Sequence, residues 1–216
     1  MAAPSVPLVE PAIKRAVVFV DGQNLFYAAR EAFGYQYPNY NILKLSQEVC
    51  QSQDWNLVQT RFYTGIPDPA DDPSKSGFWT AKLAAMGRQG IVVYSRALRY
   101  RNKTVKLPDG RTHTYVHGEE KGIDVRIALD VIRMGMRNEY DVAVVFSQDQ
   151  DLSEVAGEIR VIAHQQGRWI RIACVYPMSP TRTNRRGING SQWIKIDRKT
   201  YDSCIDPRDY RPPRTP

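Results

Sequence analysis

The fold is decided by residues 16–24, AVVFVDGQN. The first five form a continuous run of apolar, β-branched and aromatic residues, which is typical of a strand buried on both faces of a parallel sheet. Asp21 and Gly22 end that strand, and residues 24–33, NLFYAAREAF, carry apolar positions at helical spacing. A buried strand, a carboxylate and a helix in that order are the first unit of an α/β fold.

The same order returns later in the chain. Residues 141–146, DVAVVF, are a second strand of buried type, and SQDQD follows at 147–151. Further strands are predicted at 57–63, 91–95, 169–176 and 193–197, and further helices at 41–53, 78–89, 123–136 and 152–166. A β-hairpin is predicted within 96–117, around the turn PDG at 108–110. This alternation predicts a three-layer α/β/α sandwich with a mostly parallel central sheet.

Composition sets the limits of the domain. We expect residues 1–14 to be a flexible leader, 15–200 to form one domain, and 201–216 to be a basic tail that is disordered or lies on the surface. No basic region followed by an apolar core begins the chain, and no apolar run approaches the roughly 20 residues of a membrane helix. The expected location is therefore cytoplasmic, without membrane contact.

Positive charge is in excess and clustered. The formal net charge is +7 and the pI is near 9.4, which favours a polyanionic partner. The expected nucleic-acid contacts are Arg96, Arg99, Arg101, Lys103, Arg182, Arg185 and Arg186. Tyrosines at 94, 100 and 115 lie in or near the first cluster, and rings among cations suit single strands, whose bases stack on them. A solvated basic surface and ordinary strand packing are the alternatives.

The three cysteines, Cys50, Cys174 and Cys204, are far apart and odd in number. They match neither a disulfide framework nor a zinc pattern. We expect buried or incidental thiols.

Four carboxylates follow or precede the core elements: Asp21, Asp124, Asp149 and Asp151. The carboxyl ends of neighbouring parallel strands share one crevice, so these side chains are expected to meet there. Carboxylates gathered in one place repel unless a hard divalent cation such as Mg²⁺ or Mn²⁺ offsets them. Such a metal commonly serves phosphate chemistry. Asp124 alone is also explained as a favourable charge at a helix start, and Asn24 as a helix cap.

The order of these motifs resembles the NYN domain family, also called LabA-like, of the PIN-like nuclease superfamily. The resemblance covers roughly residues 15–178 and is carried by VDGQN at 20–24, EKGIDV at 120–125 and FSQDQDL at 146–152. It implies a PIN-like fold. It also implies that the four aspartates are the catalytic, metal-binding positions, with Asn24 and Ser147 as polar support. Lys121 is a candidate for contact with the scissile phosphate.

This chain departs from the family pattern in its last motif. The family usually has Ser-Gly-Asp-Ser-Asp, whereas Gln148 and Gln150 stand here in place of the Gly and the second Ser. A glycine allows a tight turn or a close ligand approach. Because the carboxylates are retained, we expect the change to affect substrate geometry more than metal binding.

The resemblance implies a metal-dependent nuclease that hydrolyses phosphodiester bonds, with single-stranded RNA as the expected substrate and one or two metal ions. Two alternatives stay open. One is an NADH-dependent monooxygenase of succinoylpyridine breakdown, and the other is a non-catalytic nucleic-acid-binding module. The sequence has no G-x-G-x-x-G fingerprint, and His113, His117 and His164 form no clear triad, although the first two with one Asp would suit iron. RNA against DNA, endo against exo cleavage, and monomer against homodimer are undecided.

Overall fold

The computed structural model describes residues 8–181 and 186–211. Within these ranges a six-stranded sheet has the order β3-β2-β1-β6-β7-β8, and a separate two-stranded sheet pairs β4 with β5. Every pairing in the larger sheet is parallel. The strands are β1 (Lys14–Asp21), β2 (Trp55–Ile66), β3 (Val92–Ala97), β4 (Arg99–Lys106), β5 (Thr112–Glu119), β6 (Val142–Phe146), β7 (Arg171–Pro177) and β8 (Gln192–Ile196).

Helices cover both faces of this sheet. They are α1 (Gly22–Phe33), α2 (Ile42–Gln51), α3 (Pro73–Arg88), α4 (Ile123–Met136), α5 (Ser153–Gln166) and α6 (Arg198–Ser203). Val18 and Val20 of β1 pack with residues of α1, α2, α3 and α6, whereas Val17 and Phe19 pack with α4 and α5. Successive side chains of a strand point to opposite faces, so β1 is buried twice. The predicted three-layer sandwich is confirmed.

The strand order reverses next to β1. The chain builds β2 and β3 on one side of β1 and later places β6, β7 and β8 on the other. In open parallel sheets, ligands bind outside the carboxyl ends of the strands at such a reversal. Asp21 ends β1 and Ser147 follows β6, so both lie at this position.

The basic hairpin stands apart from the central sheet. Its β4 and β5 strands pair antiparallel from Arg99–Glu119 to Lys106–Thr112, as predicted. The PDG turn closes it, with Gly110 at a φ of 86° that favours glycine. At the base of the hairpin, the Leu98 amide donates to the Ile66 carbonyl at 2.9 Å. The hairpin is thus a basic arm joined to the end of β2.

Helix α3 starts earlier than predicted. It begins at Pro73 rather than near 78, because Asp72 accepts a hydrogen bond from the Lys75 amide at 2.9 Å and caps the helix. Proline is well suited to the first helical position, where its missing N–H has no intrahelical partner. Residues 64–77, which are rich in Pro and Asp, therefore contain the start of this helix.

Helix α6 and the residues directly after it lie against the core. Tyr201 and Cys204 are buried, and the Asp206 carboxylate lies 4.0 Å from the buried Lys82 ammonium. These residues belong to the segment expected to be a disordered or surface tail; residues 212–216 of that segment, like 1–7 of the expected leader, are outside the described ranges. The three cysteines are free and buried, as expected. None of the described helices combines the length and apolar character needed to cross a membrane.

Candidate active site

Asp21 is both the last residue of β1 and the N-terminal cap of α1. Its Oδ1 accepts a hydrogen bond from the Asn24 amide at 2.9 Å, and the residue is only 7% exposed. The side chain lines a cleft of about 380 Å³ at the carboxyl edge of the sheet. A buried strand that ends in a helix cap therefore fixes this carboxylate with little freedom.

Asn24 ties the two loops of the strand reversal together. Its Oδ1 accepts a hydrogen bond from the Gln148 amide at 3.0 Å. The cap of α1 is Asp21, so Asn24 is used for this cross-connection instead. The loop after β6 is thereby held against the start of α1.

The loop after β6 is held by its own side chains as well. The buried Ser147 accepts a hydrogen bond through Oγ from the Asp149 amide at 3.2 Å. Asp149 in turn accepts from the Asp151 amide at 3.0 Å and caps a short 3-10 turn, Gln150–Leu152. Ser147 thus positions the backbone of Asp149 and is not itself exposed to the cleft.

The third approach to the cleft is the start of α4. Gly122 precedes this helix at a φ of 73°, and Asp124 lies in its first turn. The preceding Glu120 also lines the cleft, where its carboxylate accepts a hydrogen bond from the Gly65 amide. Asp21, Asp124, Asp149 and Glu120 therefore share one cleft.

The raised pKa values of two of these carboxylates reflect how close the four lie to one another. Burial and the nearby charges of Asp149 and Asp124 raise the pKa of Asp21 to about 6, although the Asn24 amide opposes the rise. Burial and the charges of Asp21 and Asp124 raise the pKa of Glu120 to about 7. Carboxylates that desolvate and repel one another in this way are stabilised by a cation.

Asp151 lies apart from this group. It is exposed and lines an adjoining depression with Asn24, Asp149 and Arg186. The sequence predicted four aspartates in one crevice. The structure brings three of them together and places Glu120, not Asp151, beside them.

Glu120 was missed because the sequence offers two adjacent acids, Glu119 and Glu120, before Lys121 and Gly122. Alternation continued past the end of β5 could have found it, since Glu120 directly follows the last strand residue, Glu119, and only one of two neighbours can face the cleft. Glu119 faces the other way and pairs with Lys103 at 3.1 Å and Lys121 at 3.5 Å.

The donor chemistry of the cleft suits a hard divalent cation, because every acidic donor is a carboxylate oxygen. Across the described residues, no three His, Cys, Asp or Glu side chains already converge as a ligand set. Mg²⁺ is usually bound through one or two carboxylates, with water and substrate phosphate completing its shell, rather than in an all-protein cage. The cleft fits that open type of site.

The predicted basic residues surround this cleft unevenly. Lys121 lines the rim, and Arg96 lies close to Gly122, since a Cβ there would be 2.8 Å from its Nη1. Arg99, Arg101 and Lys103 lie on the hairpin. Arg186 lines the adjoining depression, where the Gln148 side chain donates to its carbonyl at 2.8 Å. Arg182 and Arg185 are outside the described residues.

The histidines lie away from the cleft. His113 and His117 are on β5 with Tyr115 between them, and His164 is in the last turn of α5. The rings of His113 and Tyr115 are stacked, with centroids 6.1 Å apart. This places two histidines in an aromatic row on the basic arm.

The NYN domain family matches residues 15–173, most of the chain. The chain belongs to the NYN domain family. The motifs that suggested this resemblance are the ones that form the cleft, at the end of β1, the start of α4 and the loop after β6. NYN domains fall within the PIN-like nuclease superfamily, so this NYN domain is related in general to nucleases.

Some solved structures are similar to this chain at low sequence identity. A protein of unknown function from Vibrio parahaemolyticus is 19% identical, with a TM-score of 0.47 over 86% of this chain and 94% of that one. Ribokinase from Giardia lamblia is 13% identical, with a TM-score of 0.32 over 58% of this chain and 36% of that one. MurG of Acinetobacter baumannii is 12% identical, with a TM-score of 0.30 over 75% of this chain and 35% of that one. Among curated proteins, none matches the chain.

Proposed function

We propose that this NYN domain is a metal-dependent nuclease that hydrolyses phosphodiester bonds in single-stranded RNA. The observation that carries the proposal is the cleft at the strand reversal, where Asp21, Asp124, Asp149 and Glu120 lie together. Their mutual repulsion disfavours the folded chain, and an uncharged Asn would cap α1 as well as Asp21 does, so the cap alone does not explain the charge. Family membership supports the nuclease class, and the basic arm described below supports a single-stranded substrate.

The carboxylates would hold Mg²⁺ or Mn²⁺. When bound, such a metal activates a water molecule and offsets charge on the phosphate and the leaving oxygen. Asp21 is the most rigid of the set because β1 and the cap of α1 both fix it. Asp149 and Asp124 approach from the loop after β6 and from α4, so the set surrounds the space between them.

Two neutral side chains position this set. Asn24 holds the Gln148 amide, and Ser147 holds the Asp149 amide. Neither needs to touch substrate to matter, because a misplaced carboxylate weakens metal binding. Lys121, at the rim and about half exposed, is placed to contact a phosphate oxygen as a point charge.

The basic arm supplies the path for the strand. Residues directly opposite in an antiparallel pair share a face. Arg101 is opposite His117 and Lys103 is opposite Tyr115, so cations of β4 lie beside rings of β5 on one face of the hairpin. Rings interleaved with cations suit unpaired bases, and RNA recognition usually targets single-stranded segments. This arrangement favours single-stranded RNA over a duplex.

The test is cleavage of labelled single-stranded RNA and DNA in Mg²⁺ or Mn²⁺, beside EDTA. Asp21→Asn and Asp149→Asn should each reduce cleavage by more than about a hundredfold, since residues that merely support metal ligands already contribute about 10- to 100-fold. Asp54→Asn is the matched control. Asp54 is an exposed carboxylate at the opposite, amino end of β2, and its φ of 56° is one that Asn tolerates.

Cleavage that is lost in EDTA and in both site variants, but kept in Asp54→Asn, supports the proposal. Tight binding of RNA without cleavage in either metal would favour the non-catalytic binding module. Stoichiometric iron or flavin, with NADH oxidation on a hydroxypyridine substrate, would favour the monooxygenase.

A further inference from the structure

A second and larger cavity adjoins the carboxylate cleft. It has a volume of about 700 Å³ and lies between α1, the chain that follows α1, the start of α3 and the base of the hairpin. We call it the aromatic groove, because its walls include Phe26, Tyr27, Tyr37, Phe78, Trp79 and Tyr100. The nuclease proposal does not use it.

The groove and the cleft are neighbours that share wall residues. Gln23 and Tyr27, on the first turns of α1, line both. Between them lies Gly65, whose amide donates to the Glu120 carboxylate of the cleft. A Cβ at position 65 would lie 2.5 Å from Leu98 in the groove and 2.9 Å from the Glu120 carboxylate, so the partition is one residue thick.

The walls offer unused aromatic surface. Tyr27 is 51% exposed and Tyr37 is 49% exposed, although large rings gain free energy when they are covered. Tyr37 has a cation–π contact with Arg211, whose Cζ lies 5.6 Å from its ring centroid. A flat ring inserted between these side chains would bury aromatic surface that the fold alone leaves in water.

Charge decides which part of a nucleotide fits. The charged residues that line the groove are two acids and two bases, Asp71, Asp72, Lys75 and Arg211, and Lys75 pairs with Asp72 at 2.8 Å, so the groove offers a phosphate no net attraction. The polar groups that remain, among them Gln23, Gln36 and Thr64, can pair with the edge of a base. The phosphate is better placed beside Lys121 in the cleft.

We infer that the aromatic groove receives one unstacked nucleobase of the strand whose adjacent phosphate lies in the carboxylate cleft. The inference rests on the proposed nuclease function and adds how the strand is held. A base turned into the groove must first leave its neighbours, which is cheapest in a strand that is unpaired. The groove therefore selects single strands and fixes which phosphate reaches the carboxylates.

Tyr37 is the residue that tests this most cleanly. It is half exposed in the loop after α1, so its removal leaves the core intact. Trp79, in contrast, packs against the core beside Phe62 and would confuse folding with binding. Tyr37→Ala removes the ring, and Tyr37→Phe keeps it and removes only the hydroxyl.

The experiment measures binding without cleavage, in EDTA, using the full chain and a set of short RNA strands. Each strand carries one abasic residue, at a different position, and an intact strand is the reference. Wild type should bind one abasic strand about 5- to 100-fold more weakly than the intact one, as expected for a single base stacked on rings. The sensitive position should adjoin the bond that is cut when Mg²⁺ is added.

In Tyr37→Ala, intact RNA should bind more weakly than in wild type. The loss of affinity caused by the abasic residue at that one position, here called the abasic penalty, should nearly disappear. Tyr37→Phe should restore both. Equal penalties at every position, or an unchanged penalty in Tyr37→Ala, would overturn the base site while leaving the nuclease proposal standing if RNA is still cut. A clear penalty without cleavage in any metal would support the base site and refute the nuclease. No RNA binding, with saturable binding of a free pyridine ring, would overturn both.

Discussion

At the scale of single residues, Asp21 is held in a place that disfavours its own charge. Its folded pKa of about 6 lies above the ordinary value of 3.8. The folded chain therefore binds the Asp21 proton more tightly than the unfolded chain does. The contribution of this protonation to the stability of the fold is full below about pH 4 and is lost as the pH rises through 6. Asp21→Asn should abolish cleavage and leave the free energy of unfolding at pH 7 unchanged or higher than in wild type.

Urea unfolding at pH 7 measures this, with Asp54→Asn as the control that should move neither stability nor cleavage. A large loss of stability in Asp21→Asn would mean that the carboxylate charge is needed by the fold and not by the chemistry.

Metal binding should depend on pH for the same reason. Protons compete with a metal for Asp21 and Glu120, whose pKa values are raised to about 6 and 7. Mg²⁺ should therefore raise the melting temperature more at pH 7.5 than at pH 5. The difference should shrink in Asp21→Asn, which has one titrating carboxylate fewer. An equal Mg²⁺ effect at both pH values would place the metal elsewhere.

Glu120 and Glu119 form a natural pair of variants. Glu120→Gln keeps an oxygen for the Gly65 amide but removes the charge from the cleft. We expect kcat/KM to fall by about 10- to 100-fold, the range for groups that support a metal site. Glu119→Gln should lower kcat/KM much less, because that side chain does not line the cleft and only pairs with Lys103 of the hairpin and Lys121 of the rim. Equal effects of the two substitutions would contradict the assignment of Glu120.

At the scale of elements, α4 is fixed to the sheet by one buried carboxylate. Asp130 is 1% exposed and accepts hydrogen bonds from Tyr63 Oη at 2.9 Å and Arg61 Nη2 at 3.1 Å, both on β2. Arg126 and Arg133 of the same helix also donate to it. Because Asp124 lies at the start of α4, this network also sets the position of a cleft carboxylate.

Asp130→Ala should lower the free energy of unfolding by about 1–3 kcal/mol, because it leaves the buried Tyr63 hydroxyl and the partly buried Arg61 guanidinium without this acceptor. The pKa of Asp130 is held below the ordinary range by the hydrogen bonds of Tyr63 and Arg126, despite burial. The stabilisation is therefore present above its ordinary pKa and is lost as the pH falls through the lowered value. Chemical denaturation at several pH values measures both. Arg133→Ala, which removes only an outer and half-exposed partner, should cost less than about 1 kcal/mol.

At this scale the sequence was most informative where periodicity was strong. The helix over 123–136 was predicted with its observed bounds, because Gly122 and the apolar spacing define both ends. The start of α3 was not predicted, because Asp and Pro residues are typical of loops as well as of helix starts. The sequence also did not predict that Glu120, rather than Asp151, lines the cleft. This placement depends on which way β5 faces, and motif order does not encode that.

At the scale of the whole molecule, the charge of +7 should make RNA binding strongly dependent on salt. Arg101→Ala with Lys103→Ala removes two cations from one face of the hairpin. On a single strand the slope of log affinity against log salt should become shallower by about 1.4, that is two contacts at about 0.7 each. Lys195→Ala with Lys199→Ala, which are exposed cations on β8 and α6, is the control. An equal change in both pairs would mean that net charge, and not the hairpin, determines binding.

The position of Asp21 also bears on how such a domain can lose its activity over evolutionary time. Its carboxylate both caps α1 and faces the cleft. Most substitutions would therefore lower the stability of the fold by about 1 kcal/mol, through the lost helix cap, as well as end catalysis. Asparagine caps nearly as well and carries no charge. Silenced descendants of this chain should therefore reach inactivity most easily through asparagine at position 21, and would keep their fold while doing so.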